Sequence, residues 1–466
     1  MKFSRVITLV SLIGASLSAS AAQSVDILIT RGHILSMDSA LTEYESGFVA
    51  VKDGRIVAVG PQEKASDYRA GTLLDVDGDL VLPGFINTHT HASMSLLRSL
   101  GDDVPDRLHK YMFPLEKQFV SREMVRLGAE LGNVEMLKGG VTTYADMYYF
   151  EDEVAKAVDE IGMRAVLGQT VIQYPQADAK TAEEGIDYAV NFIKSYADHP
   201  RITPAFAPHA PYTNTTGTLQ KISALSEEFG VPVLTHLAES EREEEVIAER
   251  SGGLSPVAYL ESIGVLNNNL IGAHVIRVSN QDIALLKKHH VGVAHNMSAN
   301  IKSAKGVAPV TEMLKQGVDV GLGTDGPMSG NTLSLIDEFN QVAKLHKLWT
   351  NDRTNMPAVE VIKMATSGSA KVLNMENEIG SLEKSKRADI IVIDTKSPNM
   401  TPVYNPYSVL VYSAYATNVR HSIVEGKLLM KDRNVLTVDE SDIVKRATEF
   451  SNKIKQALKA QNKPVL

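Results

Sequence analysis

The stretch from Val81 to His91, VLPGFINTHTH, begins as an apolar strand and ends in two histidines separated by one residue. Because the side chains of a strand alternate between its two faces, His89 and His91 point to one side and Thr90 points to the other. Two imidazoles on one face can bind the same cation, such as Zn, Fe, Co or Ni. The pair supplies only part of a coordination shell, so the motif alone leaves open a metal site or a hydrogen-bonded pair of core histidines.

Further apolar segments follow this strand and alternate with helical stretches, which is the pattern of repeated β-α units with parallel strands. Eight consecutive units within about 250 residues are typical of a (β/α)8 barrel. The sequence therefore predicts an α/β fold with a TIM-type barrel. We expect its eight strands in VLPGFIN, VTTYADM, MRAVLGQTV, ITPAFAPH, VPVLTHLAE, NLIGAHVI, VGVAHNM and VDVGLGTDG.

Short β runs broken by turns occupy both ends of the chain, with hairpin signals at Asp53-Gly54 and Glu425-Gly426. Because both ends show the same pattern of short strands and turns, we predict that they combine in one small β-sandwich domain. We expect this sandwich in residues 23–82 and 379–440, the metal-dependent barrel in 83–378, and a C-terminal helix and tail in 441–466.

The first 22 residues differ from the rest of the chain in their arrangement of charged, apolar and small residues. Lys2 and Arg5 precede an apolar run from Val6 to Leu17, and Ala19-Ser20-Ala21 follows in A-x-A form. This pattern is typical of a secretory signal peptide, and the run is shorter than the roughly 20 residues that span a bilayer. An uncleaved anchor is the alternative. Cleavage after Ala21 or Ala22 would release a secreted or periplasmic protein with no membrane attachment.

The composition restricts the partners and the metal ligands. The formal net charge of the 466 residues is −9, without long runs of one sign, which argues against a nucleic-acid partner. The acidic run from Glu241 to Arg250 is interpreted as a solvated helix face. The chain has 0 cysteines, so it has neither disulfides nor thiolate ligands, and a metal must be held by His, Asp or Glu.

Polar side chains end nearly every predicted barrel strand. In barrels of this kind the active site lies at the C-terminal ends of the strands, so residues far apart in sequence are expected to converge there. These residues are His89 and His91, Asp146, Gln169, His209, His236 with Glu239, His274, His295 with Asn296, and Asp325. We interpret the remaining histidines as surface or loop residues: His33, His109, His199, His289, His290, His346 and His421.

His236 on the fifth strand and Asp325 on the eighth can join His89 and His91 as three nitrogens and one oxygen around a divalent ion. A catalytic metal keeps a further position for water and lowers the pKa of that water, which makes hydroxide available at neutral pH. The fourth strand ends in His209 and offers no lysine to bridge two metals. We therefore predict a single metal ion.

Glu239 follows His236 by three positions. When a metal-bound hydroxide attacks an amidine-like carbon, a neighbouring carboxyl can take a proton from the water and deliver it to the ring nitrogen of the substrate, and we predict this role for Glu239. Asp325 can pass a second proton to the leaving amine. His274 can orient the water or polarise the tetrahedral intermediate as a neutral imidazole. The alternatives are a solvated loop acid for Glu239 and a satisfied core histidine for His274.

Taken together, the motifs PGFINTHTH, THLAES, GAHVI and GTDG resemble the amidohydrolase superfamily, specifically its cytosine deaminase-like and s-triazine hydrolase-like branch. The late segment GSLEKSKRADIIVID looks like the return strand of that family's composite β domain. The resemblance spans nearly the whole mature chain. It implies a metal-dependent hydrolase of carbon-nitrogen bonds other than peptide bonds, with one divalent ion, Zn²⁺ as the first candidate and Fe²⁺ as the alternative.

Within that branch the chain is most similar to deaminases of S-adenosylhomocysteine and methylthioadenosine. The resemblance implies that Glu116, in FPLEKQF, accepts hydrogen bonds from the ribose hydroxyls and that His209, in APHAPY, contacts the sugar or a purine nitrogen. The chain departs from these deaminases after the third strand. They carry arginines there for the amino-acid carboxylate, whereas Val171 to Pro200 contains no arginine.

The expected reaction is removal of an exocyclic amine from an adenine-type nucleoside, such as S-adenosylhomocysteine, methylthioadenosine or adenosine, with release of ammonia. One alternative is hydrolysis of another heterocycle, such as guanine, a triazine or a pterin, or of an amide-like bond, because one fold supports many chemistries. The other is a metal- or solute-binding protein without turnover. The expected partner is a small heterocyclic substrate, and a homo-oligomer is left open.

Overall fold

The computed structural model describes residues 22–104 and 108–460. Its strands form two sheets, one of nine strands and one of eight. In chain order the strands are β1 (Gln23–Leu35), β2 (Glu43–Lys52), β3 (Arg55–Pro61), β4 (Tyr68–Asp75), β5 (Leu80–Pro83), β6 (Phe85–Thr90), β7 (Val141–Tyr148), β8 (Arg164–Val171), β9 (Ile202–Pro208), β10 (Val233–Leu237), β11 (Leu270–His274), β12 (Gly292–His295), β13 (Val320–Leu322), β14 (Ile390–Ile393), β15 (Val419–Val424), β16 (Lys427–Lys431) and β17 (Asn434–Val435).

Helices connect the strands of the second sheet and extend the chain at its C-terminal end. The α-helices are α1 (Phe113–Phe119), α2 (Arg122–Lys138), α3 (Glu151–Ile161), α4 (Ala182–Tyr196), α5 (Thr216–Phe229), α6 (Glu241–Ser251), α7 (Pro256–Ser262), α8 (Asn280–Lys288), α9 (Met297–Lys302), α10 (Val310–Gln316), α11 (Leu335–Thr350), α12 (Ala358–Met364), α13 (Ser367–Val372), α14 (Pro406–Tyr412) and α15 (Glu440–Ala460). Short 3-10 helices cover Gln62–Asp67, Ala92–Leu97, Pro211–Thr213 and Ala416–Asn418, and a π-helical turn covers Leu108–Met112.

Strands β6 to β13 form a parallel sheet in sequence order. Its first and last strands meet, because the backbone N–H groups of Thr324 and Asp325 donate to the carbonyl oxygen of His89 at 3.2 and 3.0 Å. These contacts bring the two edges of the sheet together as a barrel. All eight predicted strands are present, so the prediction of a (β/α)8 barrel is confirmed.

The stretch from Val81 to His91 is two strands, and the prediction of one continuous strand was wrong. β5 pairs with β1 and β14 in the nine-stranded sheet, whereas β6 pairs with β7 in the barrel. Gly84 lies between them, against Thr142, and a Cβ on Gly84 would lie 2.0 Å from the Thr142 hydroxyl oxygen. The apolar pattern continues across Gly84 because the side chains on both sides of it are buried.

The nine-stranded sheet is built from both chain ends. β1 pairs antiparallel with β2 and parallel with β4 and β5, and β14 joins from the C-terminal end by pairing antiparallel with β5. Val49 of β2 and Ile423 of β15 belong to one buried apolar cluster although their strands lie near opposite ends of the sheet, so the sheet curls around a core of its own. The prediction of one small β domain from both ends is confirmed.

α15 is amphipathic, with Ile443, Phe450 and Ile454 on its buried side, and it packs against α2 of the barrel. Among residues 22–104 and 108–460, no helix combines the length and apolar character needed to cross a membrane. The predicted signal peptide lies outside the described residues except for its last position, Ala22, and so do the final six residues of the predicted tail.

Candidate active site

Four side chains from three barrel strands converge at the C-terminal mouth of the barrel. Ligand nitrogens of His89, His91 and His236 all lie within 4.8 Å of one another, and the Nε2 atoms of His91 and His236 are 3.3 Å apart. Oδ1 of Asp325 is 3.3 Å from Nε2 of His91 and 3.7 Å from Nε2 of His89. The structure thus brings together the four side chains that the sequence predicts as ligands of one ion.

Backbone carbonyl groups orient two of these imidazoles. Nδ1 of His91 donates to the carbonyl oxygen of Met147 at 2.5 Å, and Nδ1 of His236 donates to the carbonyl oxygen of His209 at 2.7 Å. A carbonyl oxygen can only accept, so each Nδ1 carries a hydrogen and each Nε2 is the ring nitrogen left to face a cation at the mouth. Neighbouring strands thus fix the tautomer that a metal requires.

The electrostatics of the cluster fit a bound divalent cation. Nε2 of His89 is buried and has no hydrogen-bond partner among the described residues, which is costly unless another group satisfies it. Burial also lowers the pKa of His89 well below its usual value, so this imidazole is neutral, as a metal ligand must be. Burial opposes ionisation of Asp325, but the neighbouring imidazoles of His91 and His274 hold the pKa of this carboxyl well below its usual range.

Glu239 lies beside this cluster, in the loop after β10. Its Oε1 atom is 3.6 Å from Nε2 of His274, and it forms an ion pair with Lys305. Burial alone would raise the pKa of Glu239, but His274 and Lys305 lower it well below its usual range. Glu239 is therefore ionised and can accept a proton. Sequence reasoning missed Lys305, because a lysine in a loop between two helices carries no pattern that places it at the mouth.

His274, the last residue of β11, stands between Glu239 and the cluster. Its Nδ1 atom lies 2.7 Å from Oδ1 of Asn300, which accepts the hydrogen bond, and its Nε2 atom is 3.9 Å from Oδ2 of Asp325. Ligand atoms of His89, His274 and Asp325 form a second group within 4.8 Å of one another. The geometry therefore places His274 next to a bound ion.

His91, His236, Glu239 and Asp325 border a pocket that opens to solvent, and both residues implied by the family resemblance line it. Glu116 of α1 is buried, its Oε1 atom accepts a hydrogen bond from the Tyr148 hydroxyl at 2.8 Å, and burial raises its pKa to about 7. Burial, with the charge of His91, lowers the pKa of His209 to about 4, so this imidazole is neutral. Apolar and aromatic side chains complete the wall: Met94, Met112, Phe113, Met147, Tyr149 and Tyr212.

Two polar residues that end strands serve the framework and do not line this pocket. Oδ1 of Asp146 accepts a hydrogen bond from the backbone N–H of Ala92 at 2.6 Å, directly after His91. The amide of Gln169 donates to Asp178 at 2.7 Å. The first contact holds the loop after the first barrel strand, and the second holds the loop after the third.

His295 and Asn296 are buried behind His274 and do not line the pocket. Nε2 of His295 lies 3.3 Å from Nε2 of His346, and Nδ2 of Asn296 lies 3.4 Å from Nδ1 of His274. His346 on α11 and His421 on β15 are 1% and 4% exposed. Our interpretation of these two histidines as surface or loop residues was therefore wrong.

The interpretation of Glu241 to Arg250 as a solvated face was wrong at Glu243, which is 0% exposed. The sequence carried a signal for this position, because Ser240 and Glu243 form the S-x-x-E pattern of a capping box, in which the acid folds back over the helix start. We overlooked this pattern because most residues of the run are charged.

The fold and the site define an α/β barrel with a single-metal centre at its mouth. The chain belongs to the amidohydrolase family, whose sequence profile matches residues 80–429. The family resemblance of the sequence motifs is thereby confirmed.

Individual relatives cover nearly the whole chain. A 5-methylthioadenosine/S-adenosylhomocysteine deaminase of Syntrophobacter fumaroxidans is 41% identical over 433 residues, which are 92% of this chain and 98% of that protein. A 5'-deoxyadenosine deaminase of Methanosarcina mazei is 38% identical over 433 residues, 92% of this chain and 98% of that protein. A solved adenosine deaminase of Xanthomonas campestris with bound zinc superposes with a TM-score of 0.91 at 30% identity, covering 93% of this chain and 100% of that one.

Proposed function

We propose that this protein is a metal-dependent aminohydrolase that replaces the exocyclic amine of an adenine-type nucleoside with oxygen from water and releases ammonia. Methylthioadenosine, S-adenosylhomocysteine, 5'-deoxyadenosine and adenosine are the candidate substrates. The observation that carries the proposal is the ionised Glu239 beside the histidine-aspartate cluster, within the same pocket as Glu116. A binding protein has no need of a proton-accepting carboxylate next to a metal centre. The relatives described above are deaminases of such nucleosides by name.

The residues that would hold the ion are His89, His91, His236 and Asp325, with three nitrogens and one oxygen. Zn²⁺ is the first candidate and is present in the related adenosine deaminase structure, and Fe²⁺ suits the same ligand types. A divalent ion bound there supplies the Lewis acidity that makes water a nucleophile at neutral pH.

The chain's own side chains then move the protons. Glu239 accepts a proton from the attacking water and delivers it to the ring nitrogen as negative charge builds on the purine. His274, held by Asn300, keeps its Nε2 atom toward Glu239 and Asp325 and orients the water. Asp325 receives the second water proton and passes it to the amine, which leaves as ammonia.

On the substrate side, we propose that Glu116 binds the ribose hydroxyls and that His209 contacts the sugar or a purine nitrogen. Glu116 is the buried carboxyl of α1, and the Tyr148 hydroxyl orients it in the pocket. The methionine and aromatic side chains of the wall offer apolar surface to the flat purine.

Replacing Glu116 by glutamine is expected to raise KM for a ribonucleoside about 10- to 100-fold at pH 8, since hydrogen bonds to a charged group contribute about 1.5 to 3 kcal/mol. Burial raises the pKa of Glu116 to about 7, so the wild-type carboxyl is ionised above that pH and loses acceptor capacity below it. KM of the wild type is therefore expected to rise as the pH falls through about 7, whereas KM of Glu116→Gln stays level. The matched control is a 2',3'-dideoxynucleoside, for which the two proteins should have similar KM values at pH 8.

The proposed reaction is tested with metal-loaded protein and a panel of aminated heterocycles, measured by purine absorbance and ammonia release. We expect turnover of one or more of the adenine nucleosides and none of guanine, an s-triazine or a pterin. Turnover confined to guanine, the triazine or the pterin would contradict the proposal and support the alternative, hydrolysis of another heterocycle. Binding of nucleosides without ammonia release would favour the non-catalytic alternative.

We also propose that the protein is exported to a periplasmic or extracellular space and loses its first 21 or 22 residues. The charged, apolar and A-x-A segments of residues 1–21 support this, and β1 begins at Gln23. Expression of the full chain followed by fractionation and intact-mass measurement tests it. Protein retained in the cytoplasm at full mass would contradict the proposal.

A further inference from the structure

Glu243, in the first turn of α6, is buried beneath the loop that carries Glu239. Its Oε1 atom accepts a hydrogen bond from the backbone N–H of Ala238 at 3.0 Å. Its Oε2 atom accepts one from the backbone N–H of Glu239 at 2.9 Å. The Glu243 side chain thus binds two consecutive peptide groups, one of which belongs to the proposed proton-transfer residue.

These contacts go beyond what is needed to begin a helix. Ser240 is the N-cap residue of α6, and its hydroxyl accepts from the backbone N–H of Glu243 at 3.3 Å. In an ordinary capping box, the acid at the third helical position bonds to the N–H of the cap residue. Here its two oxygens bind the two residues before the cap, so Glu243 fixes the loop more than the helix.

The loop needs this support because its backbone is strained. Ala238 has φ 50°, in the left-handed region, which a residue with a side chain keeps only where the surroundings hold it. The carbonyl oxygen of Ala238 accepts from the backbone N–H groups of Ile276 and Arg277 at 3.0 and 2.9 Å. Ala238 is therefore bound on one side by Glu243 and on the other by the loop that follows His274.

We propose that Glu243 is a positioning residue that sets the place of Glu239 in the reaction. The inference rests on the proposed proton-transfer function of Glu239. Glu243 binds the backbone from which the Glu239 side chain extends, and through Ala238 it keeps that loop in contact with the loop after His274. Loss of one contact allows the Glu239 carboxylate to move away from His274 without removing any group from the pocket.

The test is the variant Glu243→Gln, whose amide keeps one acceptor and turns an NH₂ group toward the second N–H. We expect kcat to fall about 10- to 100-fold, as is typical when a supporting contact is lost, with KM within about threefold and an unchanged metal content. Glu245→Gln makes the same chemical change at an exposed position of the same helix and should leave kcat unchanged. Ser240→Ala removes the N-cap bond alone and is expected to lower Tm with little effect on kcat.

A double-mutant cycle with Glu239→Gln separates positioning from general stabilisation. If Glu243 acts through Glu239, Glu243→Gln has no further effect on the residual kcat of the Glu239→Gln protein. An equal fall in kcat in both backgrounds would overturn the inference, and so would an unchanged kcat in the single variant. Should Glu243→Gln fail to fold, Glu243→Asp replaces it in the same cycle, since it retains the carboxyl group on a shorter side chain.

The crystal structure of Glu243→Gln distinguishes failure of this inference from failure of the proposed function. A Glu239 carboxylate displaced from His274 supports the positioning role even if adenine nucleosides prove not to be the substrates. A carboxylate in its original place, in a variant that has lost turnover, would contradict it.

Discussion

Replacing Glu239 by glutamine is expected to lower kcat by about 10²- to 10⁴-fold, the range typical of a lost general acid-base group. Glutamine has nearly the same shape but cannot accept the proton of the attacking water. Glu239 lies outside the set of four predicted metal ligands, so the variant should retain one metal ion per chain. Ammonia release under saturating nucleoside measures kcat, and elemental analysis of the same sample measures the metal.

Glu245→Gln is the matched control, because it removes an exposed carboxylate from the helix that follows Glu239. Its kcat and metal content should equal those of the wild type. A Glu239→Gln protein with wild-type kcat would exclude the proton-transfer role. A variant that loses its metal would show instead that Glu239 is a ligand.

Replacing Asp325 by alanine is expected to remove the metal and, with it, turnover. Asp325 is the one carboxylate among the four predicted ligands, and its charge offsets that of the cation. Loss of residues that merely support metal ligands costs about 10- to 100-fold in metal affinity, so loss of a ligand should cost more than about 100-fold. We expect metal content after dialysis against a chelator to fall far below one ion per chain, with no measurable ammonia release.

Asp319→Ala is the control for this variant, because Asp319 is exposed and precedes the other end of β13. It should keep both the metal and the wild-type rate. An Asp325→Ala protein that holds its metal as firmly as the wild type would show that the carboxylate is not a ligand.

The barrel and its convergent strand ends could be predicted because they depend on local patterns. Eight apolar segments separated by helical ones define the repeat, and the alternation along β6 puts His89 and His91 on one side. The break between β5 and β6 at Gly84 could not be predicted from the hydrophobic pattern. Both β5 and β6 are buried on both faces, so one hydrophobic run covers two sheets.

The burial of His346 could have been predicted from the sequence, although we interpreted this histidine as a surface or loop residue. It follows Phe339, Val342 and Ala343 at helical spacing, and all four lie on the buried face of α11. A histidine on such a face belongs to the core by its position, whatever its polarity.

Contacts between segments that follow different strands could not be predicted. Lys305 contacts Glu239, and Asn300 of α9 contacts His274. Such pairs depend on the three-dimensional course of the chain. Glu116 was identified through the family resemblance alone, because an acid on a short helix carries no mark of a pocket residue. The structure places it in the pocket wall, and its ribose-binding role stays a prediction.

The central claim is that one divalent ion is shared by the imidazoles of the first and fifth barrel strands and the carboxylate after the eighth. Anomalous diffraction from crystals of the metal-loaded protein tests it most directly. We predict one strong peak, about 2.0 to 2.2 Å from Nε2 of His89, His91 and His236 and from a carboxylate oxygen of Asp325. A peak outside this set, or two metal peaks at the mouth, would contradict the account.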